Sequence, residues 1–205
     1  MFSTNIAYRI AKIGKGGSTQ GTGFVVDKEN HLFLVTAAHV VEGLEAGSDV
    51  DIALRHWRGK TKIFCKQQYA DVCALLIDAN NIFAPFECVF SKNDLFVAQD
   101  LFLLGFPLGW EQMITIATGE KELNPFVKKA VFSNMGPGDT FYVDTRVNPG
   151  FSGAPAVFYV NGDNRPRVAG IVSGYCTDLD GFSVCYDIEL ANMAIDDILK
   201  DTRSK

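Results

Sequence analysis

Long hydrophobic runs are missing from these 205 residues: no stretch approaches the roughly 18 consecutive apolar residues that a membrane-crossing helix needs. No membrane partner is expected. A basic excess is missing too, since 19 Lys and Arg face 24 Asp and Glu for a net charge of -5. Nothing is left over to neutralise a phosphate backbone, so no nucleic-acid partner is expected either. Lys128-Lys129, the nearest thing to a basic cluster, reads as solvated surface. CxxC spacing is absent among five cysteines, an odd number that suits neither a disulfide framework nor a zinc site. Cys73, inside CALLI, reads as a small buried hydrophobe, while Cys176 and Cys185 flank a turn across which they could approach. The N-terminal MFSTNIAYRIAKIGKGG alternates apolar and polar residues and has no continuous signal-peptide core. These features point to a reducing compartment, the cytoplasm, and to chemistry with no metal and no cofactor.

What is present is ordinary globular material, 47% hydrophobic and 21% charged, with 19 glycines for many tight turns. Runs of five to eight residues rich in Val, Ile, Phe and Thr recur between turn signals: GFVVD, HLFLVTA, DVDIALRH, KIFCKQ, DVCALLI, DLFLLGF, QMITIATG, KKAVFS, TFYVDTR, APAVFYV, RVAGIVSG and FSVCYDI. This is strand chemistry, and strands without intervening helices mean antiparallel barrels or a sandwich. The runs divide into about six before residue 85 and six after 100, with PFECVFSKNDLFVAQ as crossover. The expected organisation is a first unit over residues 1–90 and a second over 91–205. LANMAIDDILKD predicts a terminal helix with Leu190, Met193, Ala194 and Ile198 on its apolar stripe. A short helical turn is expected after His39.

Chemistry has few places to reside. Of three histidines, His31 and His56 read as residues at strand ends, and His39 closes the apolar strand in LVTAAHVVEG. Asp71 opens DVCALLI, either as a turn aspartate or as a carboxylate that holds an imidazole in one tautomer. Ser152 lies in VNPGFSGAPAV, which taken alone allows a glycine-rich hairpin. It equally allows a nucleophile, because a serine attacking a carbonyl needs backbone N–H groups converging on the oxyanion. Gly150 and Gly153 permit the tight curl that this demands, and the amides of Gly150 and Ser152 are the expected donors.

The order His, Asp, Ser is that of chymotrypsin, not of subtilisin or the α/β-hydrolases. At these residues the sequence resembles the chymotrypsin-like (trypsin-like) serine protease family, in particular its HtrA-type and bacterial intracellular branches. TAAHVV looks like the histidine motif, DVCALL like the aspartate segment, and VNPGFSGAP like the nucleophile motif. GTGFVV and GFPLG are similar to HtrA-type segments, and the resemblance spans roughly residues 20 to 200. It implies an all-β fold of two six-stranded antiparallel barrels with a C-terminal helix. His39 would be general base, Asp71 the orienting carboxylate and Ser152 the nucleophile in the cleft between barrels. Ser173, Gly174 and Tyr175, in and after RVAGIVSG, would line the substrate groove.

Two residues depart from the family pattern. Ala154 replaces the second glycine after the nucleophile, and Phe151 stands where secreted members carry an aspartate that pairs with a released N-terminus. Control of activity, where it exists, would then fall to loop ordering or a protein activator. Arg146, six residues before Ser152, either forms the base of the specificity pocket or points to solvent. TDLDGF, residues 177 to 182, is expected as another pocket wall. The reading is a serine endopeptidase acting on protein or peptide substrates through an acyl-enzyme. A catalytically inactive or latent homologue serving as a peptide-binding scaffold is the alternative, and an esterase using the same chemistry a third.

Overall fold

The computed structural model describes residues 4–15, 18–78 and 89–204. A 3-10 segment, Thr4–Arg9, leads into β1 (Ile10–Lys15), β2 (Ser18–Lys28), β3 (His31–Ala37), β4 (Asp49–Ala53), β5 (Arg58–Tyr69) and β6 (Val72–Ile77). These close antiparallel in the order β1-β2-β3-β6-β5-β4, with Ile13 of β1 against Ile52 of β4 shutting the ring. There follow β7 (Val89–Phe90), β8 (Asp100–Gly105), β9 (Gln112–Thr115), β10 (Lys121–Asn124), β11 (Phe126–Met135), β12 (Thr140–Val143), β13 (Pro155–Phe158), β14 (Arg167–Tyr175) and β15 (Ser183–Asp187). Here β13-β8-β11-β12-β15-β14 make a second antiparallel barrel, closed where β13 pairs with β14. The chain ends in α1 (Glu189–Arg203). No helix among the described residues is long and apolar enough to cross a membrane.

The two barrels and the terminal helix are as expected, but the strands are shared out differently. The sixth strand of the first barrel is β1, whose alternation sends Ala11 and Ile13 into the barrel interior. QMITIATG, expected among the barrel strands, contributes β9, which pairs with β10 in a hairpin belonging to neither ring. Its apolar alternation has no interior to fill, and Met113 is 43% exposed. The crossover holds the short β7, which runs parallel to β14; residues 85–88 of it lie outside the described residues.

Each barrel has its own interior, and a third apolar cluster fills the space between barrels and beneath α1. This explains why β6 reads as an unbroken apolar run. Cys73, Leu75 and Ile77 face the first barrel's interior, while Val72, Ala74 and Leu76 join the cluster under the helix. The buried stripe of α1 is Leu190, Ala191, Ala194, Ile195, Ile198 and Leu199. Met193, expected on that stripe, is 47% exposed, because the contact turns on the i+4 rows through 191–195–199 as well as 190–194–198. Full burial of an Ile or Leu stabilises by roughly 1.5–3 kcal/mol, so this helix pins the second barrel's end onto the first. The ion pair Lys28–Asp196 at 2.5 Å and the hydrogen bond from Tyr69 to Asp197 add polar ties across that joint. Cys65, Cys73, Cys176 and Cys185 are all free thiols, so the approach considered for Cys176 and Cys185 is not a disulfide.

Candidate active site

Asp71 occupies the two-residue connection between β5 and β6, where Ala70 takes a φ of +48° to reverse the chain. Because β3 lies beside β6 with Ala37 opposite Val72, the 3-10 turn Ala38–Val41 begins next to Asp71. The Ala38 N–H donates to the Asp71 carbonyl at 2.9 Å, and the His39 N–H to Asp71 Oδ1 at 3.1 Å. His39 Nδ1 lies 2.9 Å from both carboxylate oxygens. An ionised carboxylate only accepts, so Nδ1 carries the proton and Nε2 keeps its lone pair. His31, by contrast, bonds the Glu29 carbonyl, and His56 tilts against Tyr8.

Ser173 enters from the second barrel. The β14–β15 register slips between Val172 and Gly174, and the bulge turns Ser173 out of the ladder. Its hydroxyl donates to Asp71 Oδ2 at 2.6 Å, and its carbonyl accepts from Ser152 Oγ at 2.9 Å. Ser173 is expected in the substrate groove; its side chain ties the Asp71 carboxylate across the barrel interface. The Ser152 hydroxyl points to the Ser173 carbonyl rather than to the His39 ring. Among the described residues, a continuous hydrogen-bonded path therefore runs His39–Asp71–Ser173–Ser152.

This network shifts two titrations. Burial opposes ionisation of Asp71 most strongly, but the bonds from His39, Ser173 and the His39 amide outweigh it and hold the carboxyl below its ordinary 3.8. The hydrogen bond to Asp71 raises His39 above its ordinary 6.5, against the opposite pull of partial burial.

The turn around Ser152 is built on two positive-φ glycines. Gly150, at +97°, lies so close to the chain before it that a Cβ would sit 2.3 Å from the Phe106 carbonyl oxygen. Gly153, at +85°, would place a Cβ 2.0 Å from the Thr22 carbonyl oxygen. Neither position admits a side chain. The amides of Gly150 and Ser152 donate to no described residue, while those of Phe151, Gly153 and Ala154 are all engaged within the fold. Phe151 is 2% exposed and Ala154 fully buried, both inside the second barrel's core. The two departures from the family pattern are thus apolar anchors of the turn.

Beyond it the groove is open. A Cβ at Gly174 would meet nothing within 4 Å, and Tyr175 is 51% exposed. Arg146 lies at the surface, its guanidinium 5.3 Å over the Tyr175 ring and 3.3 Å from Asp180. Of its two expected placements, the structure takes the exposed one. Thr22, within the GTGFVV segment, contacts the Ser152 turn directly and was given no role by sequence reasoning.

Known proteins agree with this architecture. Residues 21–165 match the trypsin-like peptidase domain. Protease Do-like 1, chloroplastic, of Arabidopsis thaliana is 30% identical over 167 residues, covering 76% of this chain and 35% of that relative, so the chain spans about a third of its length. Among solved structures, the inactive form of the Mycobacterium tuberculosis protease Rv3671c superposes with a TM-score of 0.63 at 21% identity, covering 94% of this chain and 90% of that one. The serine endoprotease of Yersinia pestis gives 0.64 at 17% identity, covering 97% and 65%. The chain belongs to the trypsin-like peptidase domain family and shares its two-barrel serine-protease fold.

Proposed function

We propose that this chain is a serine endopeptidase that cleaves protein or peptide substrates through an acyl-enzyme, with Ser152 as nucleophile, His39 as general base and Asp71 as the carboxylate that orients it. Ser152 Oγ attacks the scissile carbonyl carbon and its proton passes to His39 Nε2. The oxygen that gains the charge is held by the Gly150 and Ser152 amides. Collapse breaks the C–N bond as the imidazolium returns its proton to the departing amine. Water then repeats the attack, and the second product leaves as a carboxylic acid. The observation that carries this reading is the His39–Asp71 pair, fixed by three contacts to the carboxylate with Nε2 left as the basic nitrogen. Gly174 and Tyr175 would flank the substrate backbone, and Arg146 would act at the rim.

The Ser152 hydroxyl bond to the Ser173 carbonyl supports a second reading, a latent enzyme or binding scaffold in which a protein activator must turn that hydroxyl toward His39. Treatment with a fluorophosphonate probe separates the two. Wild type should label and Ser152→Ala should not. Labelling that survives in the variant would sink the nucleophile assignment, and no labelling of wild type would favour latency. The four free thiols among the described residues support work in a reducing compartment such as the cytoplasm.

A further inference from the structure

We propose that Thr22, on the first barrel, is a positioning residue that sets the oxyanion-binding turn of the second. This rests on the reading of Ser152 as nucleophile. In a trans peptide the C=O and N–H lie in one plane and point in opposite directions, so fixing the oxygen aims the amide. Four consecutive planes around Ser152 are fixed in this way. The Pro149 carbonyl accepts from Leu108 N–H at 2.6 Å, which turns the Gly150 amide to the other side. The Gly150 carbonyl accepts from Thr22 Oγ1 at 2.6 Å, and the Phe151 amide, sent the opposite way, finds the Asn148 carbonyl. The Phe151 carbonyl accepts from the Ala154 N–H at 2.8 Å, which leaves the Ser152 amide outward. The Ser152 carbonyl accepts from the Thr22 N–H at 2.8 Å, and the Gly153 amide goes to Val172.

Two of these four planes are held by one residue from the opposite barrel. Thr22 is fully buried and uses every polar atom it has. Its hydroxyl donates to Gly150 and accepts from the Phe106 N–H at 3.0 Å, and its carbonyl accepts from Thr36 Oγ1 at 2.7 Å. The Phe106 bond matters because Phe106 begins the Pro107–Gly109 turn that supplies Leu108, where Leu108 itself holds a φ of +52°. The Thr22 hydroxyl thus ties the Gly150–Phe151 plane directly and the Pro149–Gly150 plane through the Phe106–Leu108 segment. The unengaged Gly150 amide depends on it, while that of Ser152 is aimed by the bond from Ala154 to the Phe151 carbonyl. Docking of the two barrels and shaping of the oxyanion site become one event, with no need of a salt bridge to a new N-terminus.

The test is the rate of phosphonylation by a fluorophosphonate, in which the Ser152 Oγ–P bond forms, the P–F bond breaks, fluoride leaves and the proton goes to His39. The phosphonyl oxygen occupies the oxyanion position, so the rate reads the turn's geometry without knowledge of the natural substrate. Thr22→Val keeps the shape and loses the hydroxyl. Losing an oxyanion donor outright costs about 10²–10³, so misaiming one should slow the reaction by about ten- to a hundredfold. Thr22→Ser should stay within about threefold of wild type. The pH midpoint should be the same in all three, because Thr22 does not touch His39. The rate constant, unlike the labelled amount, is independent of the fraction folded. A Thr22→Val rate within threefold of wild type, or a Thr22→Ser rate as low as that of Thr22→Val, overturns the proposal. An unreactive wild type instead overturns the reading of Ser152 as a nucleophile that works unaided, on which this proposal rests. Should Thr22→Val yield no folded protein, Thr22→Cys, which keeps the volume and only a weak donor, takes its place under the same criterion.

Discussion

Replacing Asp71 with Asn removes one charge and almost no volume, which makes it the sharpest probe of the proposed mechanism. Asp71 receives the His39 amide, His39 Nδ1 and the Ser173 hydroxyl. An amide at this position has one oxygen for those three donors, and its NH2 must face either Nδ1 or Ser173. If it faces Nδ1, the imidazole turns to the tautomer with Nε2 protonated, and the base is lost. The charge term follows from the geometry. An imidazolium about 4 Å from a carboxylate gains about 4 kcal/mol at an effective dielectric of 20, which is about 10³ in rate. Tautomer reversal adds roughly another tenfold, giving about 10⁴, the size found when this charge is removed from a serine-protease triad. The pH profile supplies an independent check. Wild-type activity should rise with pH through a midpoint above 6.5, because only neutral His39 accepts a proton and Asp71 raises its pKa. In Asp71→Asn the largest upward cause is gone and burial pulls the other way, so the midpoint should fall to 6.5 or below. Stability follows the opposite limb. The His39 contribution is complete below 6.5 and lost as pH rises through the raised value, while that of Asp71 is complete above 3.8 and lost as pH falls through its lowered one. Phosphonylation rates of both proteins from pH 5 to 9 read the loss of rate and the midpoint, and Tm measured from pH 3 to 9 reads the stability limbs. A variant within tenfold of wild type, or an unmoved midpoint, would refute the reasoning.

Two further outcomes follow from burial. Phe151→Ala empties a site that is 2% exposed and should cost about 3–5 kcal/mol, lowering Tm by roughly 6–20 °C in differential scanning fluorimetry. Phe151→Leu should recover most of that, and an unchanged Tm in the alanine variant would show that the turn is not anchored through this ring. Burial pushes the Cys73 thiol up to about 12 and raises Cys185 as well, whereas Cys65 and Cys176 are partly exposed. Iodoacetamide at pH 8 followed by peptide mass spectrometry should therefore find Cys65 and Cys176 modified in the native protein, with Cys73 and Cys185 modified only after denaturation; native modification of Cys185 would contradict the packing of the second barrel.

The fold was legible wherever a strand's pattern matched its surroundings. β6 shows apolar residues on both faces because a barrel interior lies on one side and α1 on the other. β1 was harder to see, since Lys12, Gly14 and Lys15 dilute its alternation and only Ala11 and Ile13 fill the barrel. QMITIATG misled for the converse reason. It has strand composition, but composition reports pairing with some neighbour, and β9 finds that neighbour in β10. Met193 misled by a helical-wheel margin of one position, because Ala191 and Ile195 are small enough or shaped well enough to take the contact.

The site divides along a similar line. His39, Asp71 and Ser152 stand out in the sequence because the chemistry proposed for them needs particular side chains within short motifs, and the two glycines beside Ser152 because positive φ at 150 and 153 favours glycine. The bulge that turns Ser173 toward Asp71 left no such mark: a register slip depends on the pairing of β14 with β15, and RVAGIVSG alone does not contain it. Thr22 is the extreme case. It lies 128 residues from the carbonyl it holds, and a threonine in a strand is ordinary by every local rule. It completes hydrogen bonds for a turn whose Gly150 and Ser152 carbonyls take their donors from outside the turn while two amides stay free. That demand explains how Phe151 and Ala154 are tolerated. A turn held from outside, by a buried hydroxyl on the facing barrel and a ring in its own core, does not depend on an aspartate at 151 to hold its shape.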